Sequence, residues 1–136
     1  MIELIDTSAW IEFLRRTGSP AHHAVRHALR EHPGDIATTE PVVLELLAGA
    51  SNPAAFGQLD RLTSGLQLLT VDNVSDYRDA ALTYRAARTG GRTVRRLLDC
   101  LIAAVALRTG ATIVHRNRDF DVLAETLPDL RVRSLV

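Results

Sequence analysis

A chain of 136 residues, 46% apolar and 24% charged, has the size and composition of one globular domain able to bury about two-thirds of the surface its unfolded form exposes. Its 16 acidic and 16 basic residues cancel, which excludes the global positive field of a general nucleic-acid binder and confines any such binding to local patches. All the basic residues are arginine, so mechanisms that need a lysine are excluded as well.

Glu3 and Asp6 interrupt the N-terminal apolar stretch and no basic segment precedes it, unlike a secretory signal. No apolar run approaches the roughly 20 residues that span a bilayer. The lone cysteine, Cys100, has no intramolecular partner, which suits a reducing compartment. The expectation is a soluble, cytoplasmic protein with no membrane partner, folded as a single domain over 1–136.

Residues 2–6 read as a strand, and Trp10, Phe13 and Leu14 give 8–16 a helical face. A helix over 21–31 must stop at His32-Pro33-Gly34. A short strand over 35–38 leads to Thr39, expected to cap a helix through Leu47 with Pro41 in its first turn. Asn52-Pro53 opens another helix by the same logic. Next come a strand over 66–71, a helix over 74–88 capped by Asn73, and a largely buried helix over 95–109 ended by Gly110. A strand over 112–115, a helix over 118–126 and an alternating edge strand over 131–135 complete the chain. Strands separated by helices imply βαβ units, and so an α/β fold around a mainly parallel sheet of four to five strands.

Four carboxylates sit at the edges of apolar runs. Asp6 and Asp119 follow strands, at the sheet edge where ligands bind in open parallel sheets. Each also fits a cap or first-turn role. Asp99 is ringed by Leu97, Leu98, Cys100, Leu101 and Ile102, surroundings that penalise an isolated charge heavily. It therefore needs a metal or an arginine, and Arg95 and Arg96 lie within one helical turn of it. Glu45 and Glu40 stand five residues apart, roughly 140° around a helix axis, so one pocket suits only one of them. Glu40 has a sufficient role at the helix N-terminus, which leaves Glu45, and Gly49 one turn later suits a close backbone approach. Arg92, Arg95 and Arg96, with Arg116 and Arg118, form the densest basic groups, suited to phosphate or to nearby carboxylates. His22, His23, His27 and His32 lack further soft ligands for zinc.

Ile5-Asp6-Thr7-Ser8-Ala9-Trp10-Ile11, Glu45-Leu46-Leu47-Ala48-Gly49-Ala50, Asp99-Cys100-Leu101-Ile102-Ala103-Ala104 and His115-Arg116-Asn117-Arg118-Asp119-Phe120-Asp121, in this order, resemble the motifs of PIN-domain ribonucleases, and more narrowly of VapC-type toxins. The resemblance implies a three-layer α/β/α PIN-like domain. It implies catalytic roles for Asp6, Glu45, Asp99 and Asp119, with Asp6 and Asp99 holding Mg²⁺ or Mn²⁺. Thr7, Ser8, Asn117, Arg95, Arg96 and Arg116 become candidates for positioning substrate. Asn117 stands where many relatives carry a further aspartate, which lowers the charge of the pocket. The implied activity is metal-dependent endonucleolytic cleavage of structured RNA, such as transfer RNA in its single-stranded loops, inhibiting translation and growth. The implied partners are a VapB-like antitoxin, laid over a surface including Trp10, Phe13, Leu14, Leu44, Leu47 and Phe56, and a second copy of the chain.

Three other readings compete. A phosphoacceptor signalling domain requires a lysine that this chain lacks. A haloacid-dehalogenase-like phosphatase wants an aspartate two residues after the first, where Ser8 stands. A catalytically silent PIN-type RNA- or protein-binding module would normally have lost some of the carboxylates, and all four remain.

Overall fold

The computed structural model describes residues 1–136. The chain runs β1 (Glu3–Ile5), α1 (Thr7–Leu14), α2 (Pro20–Glu31), a 3-10 turn (Pro33–Asp35), β2 (Ile36–Thr38), α3 (Glu40–Ala48), α4 (Pro53–Ser64), β3 (Gln67–Leu68), α5 (Ser75–Thr89), α6 (Leu97–Thr109), β4 (Thr112–His115), α7 (Arg118–Thr126) and β5 (Arg131–Ser134). The five strands form one sheet in the order β3-β2-β1-β4-β5, and every neighbouring pair is parallel. β1 lies central, with Glu3, Leu4 and Ile5 opposite Thr112, Ile113 and Val114 of β4.

This order decides where a site can form. From β1 the chain moves outward through β2 to β3, then returns to add β4 and β5 on the other side. Right-handed crossovers therefore place α1 to α4 on one face and α5 to α7 on the other, giving the three-layer α/β/α fold. The direction of winding reverses between β1 and β4, and the crevice beyond the C-terminal ends of those strands is the natural ligand position. A single core runs through the layers, with Trp10, Phe120, Leu4, Ile5, Ile36, Ile102 and Ile113 fully buried. α6 is the most deeply embedded helix, with every residue from Asp99 to Ala106 buried.

Several local expectations change. β3 pairs only over Gln67–Leu68 rather than 66–71, because it is an exposed edge with a neighbour on one side; Leu69 adds one further bond from its N–H to the Thr38 carbonyl at 2.8 Å. Thr39 precedes α3 without capping it, since its hydroxyl turns to Glu40 at 3.4 Å. Asn73 does not cap α5 either; the Asp72 carboxylate accepts from the Val74 and Ser75 N–H groups at 3.0 and 2.8 Å. α6 begins at Leu97, two residues later than expected, and Gly110 ends it in the left-handed conformation at φ 76°. Gly49 meets no foreign backbone: a Cβ there would lie 3.3 Å from the Glu45 carbonyl of its own helix. Trp10 is wholly buried, whereas Leu14, Leu44 and Phe56 are exposed. No helix is long and apolar enough to cross a membrane.

Candidate active site

Asp6 leaves β1 and caps α1, so one residue serves both the helix and the crevice. Its Oδ2 accepts from the Ser8 N–H at 3.0 Å and from the Ser8 hydroxyl at 2.5 Å. The Ser8 Oγ in turn accepts from the Arg116 N–H at 2.9 Å, joining the end of β1 to the end of β4. Asp6 Oδ1 is buried and has no partner, an arrangement that native interiors rarely leave without a reason.

Three further segments converge on this position. α3 carries Glu45, whose Oε1 accepts from the Thr7 hydroxyl at 3.0 Å. The first turn of α6 carries Asp99, fully buried, where the helix dipole favours a negative charge. Asn117 follows β4, donates from Nδ2 to Asp99 Oδ2 at 3.0 Å, and caps α7 by accepting from the Asp119 N–H at 3.0 Å. The Arg96 guanidinium stands among the carboxylates, with Nη2 2.8 Å from Glu45 Oε2 and 3.5 Å from Asp99 Oδ1.

Asp119 reaches the same sheet edge but is differently engaged. Its Oδ2 accepts from the Arg95 N–H and Nε, both at 3.2 Å, so it borders the cluster through Asn117 rather than pointing at Arg96. Glu40, the rejected alternative to Glu45, is held away from the crevice by the Val71 N–H at 2.9 Å. Arg116 projects its guanidinium onto Glu12. Arg92 pairs with Glu125 at 2.5 Å. The histidines of the first half are engaged separately: His22 Nδ1 accepts from the Gly18 N–H at 2.9 Å, and His32 Nε2 meets Glu3 at 3.0 Å.

The electrostatics are those of crowded, buried acids. Burial, then the neighbouring Asp6 charge, lift the Asp99 carboxyl from its ordinary 3.8 to about 6, against the opposing pull of Arg96. Burial raises Asp6 too, with Glu45 adding repulsion and the Ser8 bonds opposing it. Desolvation alone would lower Arg96, but Asp99, Glu45 and Asp6 together raise it. His115 is buried beneath the site and held neutral chiefly by desolvation. Its Nδ1 accepts from the Asn117 N–H at 3.1 Å, which puts the ring proton on Nε2, 3.4 Å from Asp121 Oδ1.

A divalent cation suits the donor set without finding a finished cage. No three acidic, histidine or cysteine side chains stand close enough to enclose an ion as they are. The acidic donors are all oxygens, however, and Asp6 Oδ1 is a buried acceptor with nothing to accept. Mg²⁺ is commonly held by one or two carboxylates while keeping several waters, so Asp6 and Asp99 fit its demands.

The PIN domain profile matches residues 4–126. The chain belongs to the PIN-domain family. It is 54% identical over 121 residues to VapC ribonuclease Mb1587 of Mycobacterium bovis, covering 89% of this chain and 90% of that protein. The same identity and coverage hold for ribonuclease VapC11 of Mycobacterium tuberculosis, placing the chain among the VapC proteins. Solved structures agree at the level of fold: VapBC-1 from nontypeable Haemophilus influenzae superposes with a TM-score of 0.75 at 22% identity, covering 99% of this chain and 98% of that one.

Within this PIN domain, two features escaped the sequence reading. Glu12, the partner of Arg116, sits one helical turn after Ser8, and its pairing across more than a hundred residues has no local signature. Asp76 is fully buried on α5 and gripped by Arg108 of α6, with Nη2 at 2.8 Å from Oδ2 and Nε at 3.0 Å from Oδ1. Its partner lies 32 residues away, so the pairing has no local signature.

Proposed function

We propose that this VapC protein is a cytoplasmic, divalent-metal-dependent endoribonuclease toxin that cuts structured RNA, such as transfer RNA, in its single-stranded loops and so inhibits translation and growth. The observation that carries the reading is the convergence of Asp6, Glu45 and Asp99, from three separate segments, around one cationic group at the point where the sheet reverses. A purely structural cluster would leave no reason for a buried, unpartnered carboxylate oxygen on Asp6. The names of the 54%-identical relatives support the same activity.

Asp6 and Asp99 would hold Mg²⁺ or Mn²⁺; once bound, such an ion polarises the scissile phosphoryl group and lowers the pKa of a coordinated water. Ser8 fixes the rotamer of Asp6 through two bonds to Oδ2 and leaves Oδ1 free. Asn117 orients Asp99. Thr7 steers Glu45 toward the pocket, where its carboxylate can take a proton from an attacking water. Asp119 anchors the segment bearing Arg95, and the Arg95 side chain, 73% exposed, offers a planar fork to RNA phosphate beside the pocket. Arg116, tied to the site by its backbone N–H to Ser8, can do the same once its guanidinium leaves Glu12.

A VapB-like antitoxin is the natural partner. The groove of about 530 Å³ between α1 and α2 is lined by Phe13, Leu14 and Leu29 together with Arg16, Arg26 and Arg30, which suits an apolar segment with acidic flanks. A second copy of the chain is assigned to the wholly apolar hollow of Tyr77, Ala80, Ala81, Leu97, Leu98 and Leu101. That patch offers no charge to select a polar partner, and Leu97 is 63% exposed. Leu97→Asp should therefore yield monomer by light scattering where the parent chain gives dimer; an unchanged mass would remove this face from consideration.

The test of the activity is incubation of antitoxin-free protein with total cellular RNA in Mg²⁺ or Mn²⁺, with and without EDTA. Discrete fragments bearing 5′-phosphate and 3′-hydroxyl ends, lost with chelator, are expected. Folded protein that binds metal but cuts nothing would favour a silent binding module.

A further inference from the structure

The pocket already contains a cation of the protein's own. Arg96 lies at the junction between the loop and α6, and its guanidinium bridges Glu45 at 2.8 Å and Asp99 at 3.5 Å. These two carboxylates come from helices that touch at the sheet edge, so one side chain neutralises charges brought together from positions 45 and 99. Its side chain remains 53% exposed, whereas the Asp99 side chain is fully buried and that of Glu45 only 13% exposed. The base is fixed and the cation has a path to solvent.

We propose that Arg96 is a built-in counter-ion of the acidic pocket that competes with the divalent metal, so that metal binds only as the guanidinium swings off Glu45 and Asp99. The proposal rests on the metal-dependent reading above. The competition is at Asp99, where the guanidinium and a divalent ion in contact with one carboxylate repel each other and the Oδ1 lone pair turned to Nη2 is not available to an ion. The bridge also accounts for the absence of a closed three-ligand cage: Glu45 is drawn to Arg96 and Thr7 instead of toward Asp6. Apparent metal affinity is then reduced by the fraction of molecules in which Arg96 is docked. The released guanidinium stands next to Arg95 at the mouth of the site, ready for a phosphate.

The test is direct Mn²⁺ binding, read from the free-ion EPR signal and by calorimetry, for the parent chain, Arg96→Gln and Arg96→Lys in the absence of RNA. Removing the competitor should tighten Mn²⁺ binding by about tenfold or more, with Arg96→Lys between the two. Equal or weaker binding by a folded Arg96→Gln protein would overturn the proposal, since it would mean that Arg96 assists the site or is irrelevant to it. Failure of the parent and both variants to bind Mn²⁺ would instead sink the metal reading itself. A measurement on the parent chain avoids any folding defect. The Arg96 guanidinium ¹⁵N signals should lose their restrained, ion-paired character as Mg²⁺ is titrated in, and signals unchanged at metal saturation would refute the exchange.

Discussion

Replacing Asp99 by asparagine should stabilise the metal-free fold at neutral and alkaline pH while abolishing metal-dependent activity. A carboxyl lifted from 3.8 to about 6 is, at 1.36 kcal/mol for each tenfold in proton affinity, an ionisation penalty of about 3 kcal/mol for the folded state. The sign follows from linkage: the unfolded chain loses this proton near pH 4, the folded chain only near pH 6, so stability falls between those values and the loss is complete above them. Asparagine removes the penalty and can still accept from Asn117 Nδ2 in place of Asp99 Oδ2. The opposing pull of Arg96 is already contained in the value near 6, so the gain stands at about 3 kcal/mol. In a domain of this length that is a Tm increase of roughly 9–15 °C. Thermal denaturation of both proteins in EDTA from pH 4 to pH 8 reads it directly: the curves should nearly meet at pH 4 and diverge through pH 6. A variant that is less stable at pH 8, or a difference that ignores pH, would refute this account of the buried charge.

Other consequences follow from the same geometry. RNA cleavage at limiting Mg²⁺ should fall as pH drops through about 6, and the inflection should move lower as Mg²⁺ rises, because metal favours the ionised carboxylate; a flat profile from pH 5 to 8 would count against it. Ser8→Ala removes the 2.5 Å bond to Asp6 and should lower cleavage about tenfold, as loss of an outer contact to a metal ligand typically does, so full activity would dismiss the positioning role. Arg108→Ala leaves Asp76 buried without its partner and should cost about 3 kcal/mol in urea denaturation, somewhat under the fully buried case. Asp76→Asn combined with Arg108→Ala should recover part of that loss, and strict additivity of the two would mean that the pair is not coupled.

The sheet was legible because its signals are local: apolar runs punctuated by Asn52-Pro53, Gly110 and Asn117 give the alternation of strand and helix, and the alternation dictates parallel pairing. The carboxylates at positions 6, 45 and 99 were legible because each breaks an apolar stretch. What remained hidden is settled by distance in space. Thr39 and Asn73 look like caps, yet the Thr39 hydroxyl donates to Glu40 instead of accepting from the helix, and Asp72 takes the N–H groups that Asn73 would have capped. Asp119 was placed among the pocket residues, but its carboxylate is taken by Arg95, which comes from the loop before α6. Arg96 was legible as a partner for Asp99 at helical spacing, whereas its second contact, to Glu45 fifty-one positions away, needed the fold.

The acidic pocket is tested most directly by cleavage of one transfer-RNA pool in Mg²⁺ by the parent protein and by Asp6→Asn, Asp99→Asn, Glu45→Gln and Asp119→Asn, each verified as folded. No cleavage is expected from the Asp6 and Asp99 variants, severe loss from Glu45→Gln, and a milder loss from Asp119→Asn, whose carboxylate serves Arg95. Parental rates from folded Asp6→Asn and Asp99→Asn proteins would put the chemistry outside the pocket these residues build.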